Sequence, residues 1–404
     1  MSALRAMRTW PVQARDALPT ALWNAQEIAA ATKGTARKNF EVSGVEIDSR
    51  DVRKGDLFVA LKGHNLDGHQ YIEKAFGNGA VAALVDRPID YPHVLVNDTF
   101  EALEGLAVAA RNRSEAVRIA ITGSVGKTGV KEAIFQALDR HSNGTAHRSV
   151  RSYNNHVGVP VSLARMPTSS RFGVFELGMN HQGEIFPLAE YVRPHVALIT
   201  TIAPAHIENL GSMEKIVEEK SMIFSGLVDG GTAIIPADSE YAEQIKGFAA
   251  HYGRNILTFG VSEGSNVRLL DAIPSANGGS VVTADLGDQR VCYSVAEPGD
   301  HWIVNSLGIL AAVKAVGGDL GAAGLALSEM GGLKGRGARH KITLPGGRAI
   351  LIDESYNSNP LSLKSAILNY DKIDSKNSKK YLLIGDMLEL GNHSKKLHRS
   401  IAPI

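Results

Sequence analysis

The chain has 404 residues, which at about 100–200 residues per domain predicts two or three domains rather than one. Lys and Arg total 43 against 42 Asp and Glu, a formal charge of +1, so no overall field points to nucleic acid or an anionic membrane, and any electrostatic site is local. Hydrophobic residues at 44% and charged residues at 21% match ordinary globular usage and exclude bulk disorder, collagen-like and coiled-coil architectures.

Taken in chain order, Met1–Trp10 mixes arginines with short apolar pieces and lacks the apolar core of a signal peptide. Residues 1–110 form a candidate first domain, in which Asp51–Ala60 reads as a turn and strand and Tyr71–Phe76 as helical. Next come three aliphatic runs, Arg118–Thr122, Gly173–Glu176 and Val196–Thr201, each ending in small or polar residues. They read as strands of a parallel sheet covered on both faces. The intervening Lys127–Arg140 carries Val130, Ala133, Ile134 and Ala137 at helical spacing, and Ile185–Val192 is a short helix ending before Pro194. The class is therefore α/β.

Asn266–Ala296 is a run of short β pieces broken at Asn277, Gly278, Gly279, Gly287 and Asp288, read as hairpins decorating the sheet. A helix at Trp302–Val316 follows; Asn305, Ser306 and Lys314 interrupt it, so it does not span a bilayer. The central domain is placed at 111–331. Gly331–Gly337 has four glycines in seven residues and reads as a hinge, after which Ala349–Asp353 and Tyr381–Ile384 are expected strands of a third domain, 332–404. That segment is short for a domain and is expected to be incomplete. The one cysteine, Cys292, excludes an internal disulfide. The expectation is a cytoplasmic chain with no membrane insertion and no nucleic-acid partner, working as a monomer, although no residue pattern speaks to oligomeric state.

The strongest local signal is Ile121-Thr122-Gly123-Ser124-Val125-Gly126-Lys127-Thr128, between an aliphatic strand and a helix. Glycines let backbone N–H groups curl around phosphate oxygens, the helix aims its positive end at them, Lys127 adds a point charge and Thr128 offers a hydroxyl to Mg²⁺. The general pattern wants glycine where Ile121 stands, so this is a shorter variant; a glycine turn serving packing alone is the bland alternative. Glu176 ends a strand, and ligands of open α/β sheets lie beyond the carboxyl ends of strands, so it is a metal-ligand candidate. His206, a few residues past Val196–Thr201, should open onto the same crevice. Lys220 shares an apolar face with Ile216, Val217, Ile223 and Phe224. It either snorkels to water or exists as a neutral amine able to capture CO₂.

Several further stretches carry a resemblance. Tyr153-Asn154-Asn155-His156-Val157-Gly158, Glu176-Leu177-Gly178-Met179-Asn180-His181-Gln182-Gly183-Glu184, Ala205-His206-Ile207-Glu208, Glu219-Lys220, Gly299–Asn305, Gly335-Arg336, Asp353–Pro360 and Gly385–Gly391 resemble the Mur ligases of peptidoglycan synthesis, closest to the branch that adds D-alanyl-D-alanine. They run in family order across nearly the whole chain.

The resemblance implies a three-domain ligase in which ATP phosphorylates the terminal carboxylate of UDP-N-acetylmuramoyl-tripeptide. The resulting acyl phosphate is attacked by the amine of D-alanyl-D-alanine. It implies two Mg²⁺ sites drawing on Thr128, Glu176, His206 and a carbamylated Lys220. Asn305 is implied at adenine, with Trp302 where the family often has asparagine, Arg336 at the γ-phosphate, and Asp353 or Glu354 at the ribose. Ser49 and Arg50 are implied at uridine diphosphate, Asn154, Asn155, Asn180 and His181 at the muramoyl peptide, and Tyr356, Asn357 and Asn359 near the dipeptide. Other readings left open are a homologue that binds ATP and UDP-sugar without ligase activity, another Mur ligase, or a folylpolyglutamate synthetase-like ligase.

Overall fold

The structure is a computed structural model that describes residues 21–63, 66–252, 255–275, 278–344, 347–373 and 379–404. The arginine-bearing start, Met1–Trp10, and the hairpin residue Asn277 lie outside the described residues. The chain divides into two compact units at Ala110/Arg111, and residues from 332 onward belong to the second.

In the first unit β1 (Trp23–Asn24) pairs with β3 (Glu41–Val42), and between them run α1 (Ala25–Thr32) and β2 (Thr35–Arg37). Asn24 closes a capping box on α1: its side chain accepts from Glu27 N at 2.9 Å while its own N–H donates to Glu27 Oε2 at 2.9 Å. β4 (Gly44–Glu46), β5 (Asp56–Val59), β6 (Ala82–Val85) and β7 (His93–Leu95) are parallel neighbours, with β2 antiparallel on β7. All four residues of β5 and of β6 are buried, as parallel strands covered on both faces require. The helices are α2 (Ile72–Gly77) and α3 (Thr99–Asn112). Buried His69 locks this sheet's connections, with Nδ1 2.7 Å from Asp67 Oδ1 and Nε2 3.0 Å from Asp86 Oδ1, while Arg87 grips Asp67 at 2.6 Å.

The second unit is built on a nine-stranded sheet of order β16-β15-β14-β13-β12-β11-β8-β10-β9. Its strands are β8 (Val117–Thr122), β9 (Ala146–Arg148), β10 (Phe172–Glu176), β11 (Val196–Ile199), β12 (Thr232–Pro236), β13 (Asn255–Gly260), β14 (Val267–Pro274), β15 (Ser280–Asp285) and β16 (Arg290–Val295). β9 to β14 and β8 are parallel; β15 and β16 then extend the edge antiparallel. The expected hairpins thus continue the sheet itself. Helices α4 (Lys127–His141), α5 (Gly158–Ala164), α6 (Ile185–Val192), α7 (Ile207–Leu210), α8 (Met213–Ser221), α9 (Ala242–His251), α10 (Asp300–Ala315) and α11 (Leu320–Glu329) connect or cover the strands. Ile119, Ile121, Val174 and Leu198 from the strands share one buried cluster with Ile134, Leu307, Leu310 and Leu327 from α4, α10 and α11. Each such side chain contributes about 1.5–3 kcal/mol by leaving water, which fixes the loops at the strand ends.

Beyond the glycine-rich turn, β17 (Ala338–Leu344) and β18 (Gly347–Asp353) form an antiparallel hairpin, followed by α12 (Pro360–Asp371) and α13 (Ser394–Ile401). The strand expected at Tyr381–Ile384 is not one: these residues lie in irregular chain, with Tyr381 79% and Leu383 fully exposed. An apolar run becomes a strand only where a neighbour completes its hydrogen-bond ladder, and none lies beside it among the described residues. No described helix is long and apolar enough to cross a membrane.

Candidate active site

The loop between β8 and α4 is shaped by two glycines that no other residue could replace without movement. Gly123 has φ +147°, and a Cβ there would stand 2.0 Å from Thr200 Oγ1; Gly126, at φ +87°, caps α4 with a Cβ position 2.9 Å from Asn305 Nδ2. The chain that follows β11 holds the loop down. Ser124 Oγ donates to Ala203 O and accepts from Ala203 N, both at 2.9 Å, and Thr200 Oγ1 donates to Val125 O at 2.6 Å. Lys127 Nζ donates to Gly123 O at 2.7 Å, curling over the loop, and burial pushes its pKa down. An arriving anion would restore the charged form. Trp302 of α10 covers α4 at Gly129, where a Cβ would meet its ring at 2.6 Å.

Beside the loop, Glu176 ends β10 fully buried. Its Oε1 accepts from Asn154 Nδ2 at 2.8 Å, whereas the buried Oε2 has no partner. An unsatisfied buried carboxylate oxygen is costly, and its natural complement is a cation. Asn154 belongs to a wall of irregular chain, 149–155, that also presents Ser152 Oγ 3.4 Å from Thr128 Oγ1 and Ser149 Oγ to Glu176 N at 3.2 Å. Wholly buried Lys131 of α4 braces that wall. Its ammonium donates to Ser149 O at 3.3 Å and to Arg151 O, and pairs with Glu132 at 3.0 Å.

Lys220 ends 1% exposed on α8, amid Ile216, Val217, Ile223 and Phe224 at 0%. It does not snorkel, and its ammonium makes no hydrogen bond or ion pair among the described residues. Burial, then the like charge of Lys127, pushes its pKa well below the ordinary lysine value, which favours the neutral amine. Adjacent Glu219, also buried, accepts from Gly183 N and Ile185 N, each at 2.7 Å. It thereby ties the loop carrying Asn180 and His181 to the start of α6. His206, at φ +59°, precedes α7 and pairs through Nδ1 with Glu389. Burial lowers its pKa, Glu389 opposes this, and Lys220 and Lys127 add to the lowering. Glu176, Lys220 and His206 thus all have Lys127 as an electrostatic neighbour.

One cleft brings Ser124, Val125, Gly126, Lys127 and His206 together with Arg336, Asn357 and Asn359. Arg336 is held over the Tyr356 ring at 4.1 Å, on a turn where Gly335 and Gly337 take positive φ. Asp353 shapes that turn, accepting from Gly335 N at 3.1 Å, Ser355 N at 3.1 Å and Ser355 Oγ at 2.6 Å.

The chain matches the family model described as Mur ligase middle domain over residues 121–313 and that described as Mur ligase family, catalytic domain, over residues 41–119. A UDP-N-acetylmuramoyl-tripeptide--D-alanyl-D-alanine ligase of Rickettsia prowazekii is 34% identical over 388 residues, covering 95% of this chain and 84% of the relative. The chain belongs to the Mur ligase family. Among solved structures similar to this Mur ligase, the crystal structure of MurF from Acinetobacter baumannii has a TM-score of 0.81 at 30% identity, covering 95% of this chain and 84% of that one. MurF ligase from Thermotoga maritima in complex with ADP has a TM-score of 0.72 at 26% identity, covering 89% and 81%.

Within this Mur ligase the remaining candidates fall into distinct settings. Asn359 caps α12, its side-chain oxygen accepting from Ser362 N at 2.9 Å, whereas Asn155 lies in the turn before α5 and accepts from Gly158 N at 2.8 Å. Asn180 and His181 are exposed and turned toward Glu184, through Asn180 N at 2.6 Å and His181 Nδ1 at 3.2 Å. In the first unit Arg50 is held by Asp48 at 2.6 Å and Ser49 is buried, its carbonyl accepting from Asn78 at 2.7 Å. No three His, Cys, Asp or Glu side chains cluster to hold a metal among the described residues; the ligand set implied above pairs one carboxylate and one imidazole with a hydroxyl and a lysine. The sequence reading gave no role to Glu219, Lys131 or Glu389, although Glu219 and Glu389 lie in stretches that carry the resemblance. Lys131 carried no such signal; its role shows only in its burial and its bonds to Ser149 O and Arg151 O.

Proposed function

We propose that this Mur ligase is an ATP-dependent amide ligase that adds D-alanyl-D-alanine to UDP-N-acetylmuramoyl-tripeptide in peptidoglycan synthesis, acting as a cytoplasmic monomer with domains 1–110, 111–331 and 332–404. The observation that carries the reading is the cleft in which an anchored phosphate loop faces Arg336, Asn357 and Asn359 across one space. Backbone N–H groups of Gly123–Thr128 and the Lys127 ammonium receive the β- and γ-phosphates, and Arg336, on its glycine turn, answers the γ-phosphate from the other side. Asn305, packed against Gly126, is the residue that takes the adenine in this reading. Asp353 or Glu354 serves the ribose; both already accept hydrogen bonds from the backbone of the glycine turn.

The orphan Oε2 of Glu176 and the unpaired, neutral-leaning Lys220 fit a cation site. Thr128, Glu176, His206 and Lys220 are the residues that would hold two magnesium ions, Lys220 after its neutral amine adds to CO₂ with loss of one proton, which turns it into an anionic carbamate. Bound magnesium supplies the charge that lets phosphoryl and carboxylate groups approach. The substrate carboxylate then displaces ADP from the γ-phosphorus, and the dipeptide amine displaces phosphate from the acyl phosphate. Ser49 and Arg50 take uridine diphosphate, Asn154, Asn155, Asn180 and His181 the muramoyl peptide, and Tyr356, Asn357 and Asn359 the dipeptide. Asn154, through its bond to Glu176, also orients that carboxylate.

The test is phosphate release by purified protein with ATP, UDP-muramoyl-tripeptide and D-alanyl-D-alanine. Release that requires both acceptor and dipeptide is expected; normal ADP binding with no release in the complete mixture would overturn the ligase reading.

A further inference from the structure

The Gly385–Gly391 stretch has no role in the chemistry above, yet Leu388, Glu389 and Leu390 line the phosphate cleft. The stretch is anchored from both sides. Met387 and Leu390 are 3% and 2% exposed, Glu208 N donates to Glu389 O at 3.4 Å, and Gly391 packs against the Glu208 side chain. From this footing the Glu389 carboxylate meets His206 Nδ1. Both partners occupy the left-handed backbone region, Glu389 at φ +61° and His206 at φ +59°. Histidine tolerates that region and glutamate rarely does, so the surrounding contacts hold Glu389 in a costly conformation that delivers its carboxylate to this one ring.

We propose that Glu389 is a positioning residue for His206, resting on the reading of His206 as a magnesium ligand. The carboxylate accepts Nδ1–H, which fixes the ring's rotation and leaves Nε2 as the bare nitrogen; Nε2 makes no other hydrogen bond among the described residues. A ligating imidazole whose other nitrogen is bound to a carboxylate is both oriented and more basic. This role falls to the C-terminal segment. It carries the group that prepares a ligand belonging to the central sheet, so the two must be docked for the site to be complete.

The first measurement needs neither metal nor substrate. Nitrogen NMR of ¹⁵N-histidine-labelled, metal-free protein at pH 8 reports which ring nitrogen of His206 carries the proton, His206→Gln supplying the assignment. The wild type and Glu389→Gln, whose amide oxygen still accepts, are expected to show Nδ1–H, and Glu389→Ala to shift toward Nε2–H. The second measurement is the Mg²⁺ concentration giving half-maximal phosphate release, expected to rise about 10- to 100-fold in Glu389→Ala and to stay nearer the wild type in Glu389→Gln. An unchanged tautomer in Glu389→Ala, or an unchanged Mg²⁺ requirement beside an altered tautomer, would overturn the proposal. Wild-type protein that shows the Nδ1–H tautomer but no release in the complete mixture would instead sink the ligase reading alone.

Discussion

Replacing Gly123 by alanine tests whether the loop is held by the contacts described. The new Cβ would lie 2.0 Å from Thr200 Oγ1 and 3.1 Å from the backbone nitrogens of Thr200 and Thr201, at a φ of +147° that L-residues avoid. Thr200 cannot step aside freely, since its hydroxyl donates to Val125 O at 2.6 Å. The backbone conformation costs about 1–3 kcal/mol and the lost hydrogen bond about 0.5–1.5 kcal/mol. In the free protein the loop relieves this by shifting; binding ADP forces it back, so the cost appears as affinity. A loss of about 2–4 kcal/mol corresponds to about 30- to 1,000-fold in Kd. Calorimetric titration with Mg-ADP of Gly123→Ala, Thr200→Ala and the double variant completes a cycle. Because Thr200→Ala removes the nearest clashing atom, the double variant is expected to lose less than the sum of the singles. ADP affinity within about threefold of wild type in Gly123→Ala, or additivity within about 0.5 kcal/mol, would refute the argument.

Lys220→Ala is expected to abolish phosphate release while keeping ADP binding, with acetate partly restoring turnover; full activity in the variant would end the carbamate role. Gly129→Ala pushes a methyl toward the Trp302 ring at 2.6 Å and should destabilise by about 1–3 kcal/mol in denaturant unfolding, with Trp302→Leu in the same chain recovering part of it; an unperturbed midpoint would mean that α10 gives way. In the first unit the Arg87 guanidinium, followed by the His69 N–H, holds the Asp67 carboxyl below the ordinary carboxylate range. Its folded pKa lies below the unfolded value of about 3.9, so its stabilisation is complete at neutral pH and fades as pH falls below about 4. The gap in urea midpoint between wild type and Asp67→Asn should be widest at pH 7 and narrow on acidification; a gap that widens in acid contradicts the network.

What could be read from the chain without coordinates was whatever a local pattern encodes. The aliphatic runs ending at Thr122 and Glu176 are strands because alternation is absent where both faces are covered, and the glycine-Lys-Thr spacing announces the loop between β8 and α4. The apolar surroundings of Lys220 were visible as helical spacing, and only its burial separates a trapped amine from a snorkelling one. The bond from Asn154 to Glu176 spans 22 positions and that from Glu389 to His206 spans 183. Neither leaves a trace in spacing, since tertiary contacts obey no period. The same limit explains Tyr381–Ile384, whose composition suits a strand while the ladder that would make it one depends on other chain.

Helix α4 carries two lysines one turn apart with opposite duties. Lys127 curls toward the space an anion would fill, whereas Lys131 turns inward, its charge answered by Glu132 and by two carbonyls of the opposite wall. The rim of the nucleotide site is thereby riveted to the very helix that presents the phosphate-binding amides. Any shift of that helix drags Ser152 and Asn154 with it, so hydroxyl, amide and carboxylate keep their mutual spacing when the helix moves. An engineer wishing to recast residues 149–155 for a different acceptor must therefore redesign the interior of α4 at the same time.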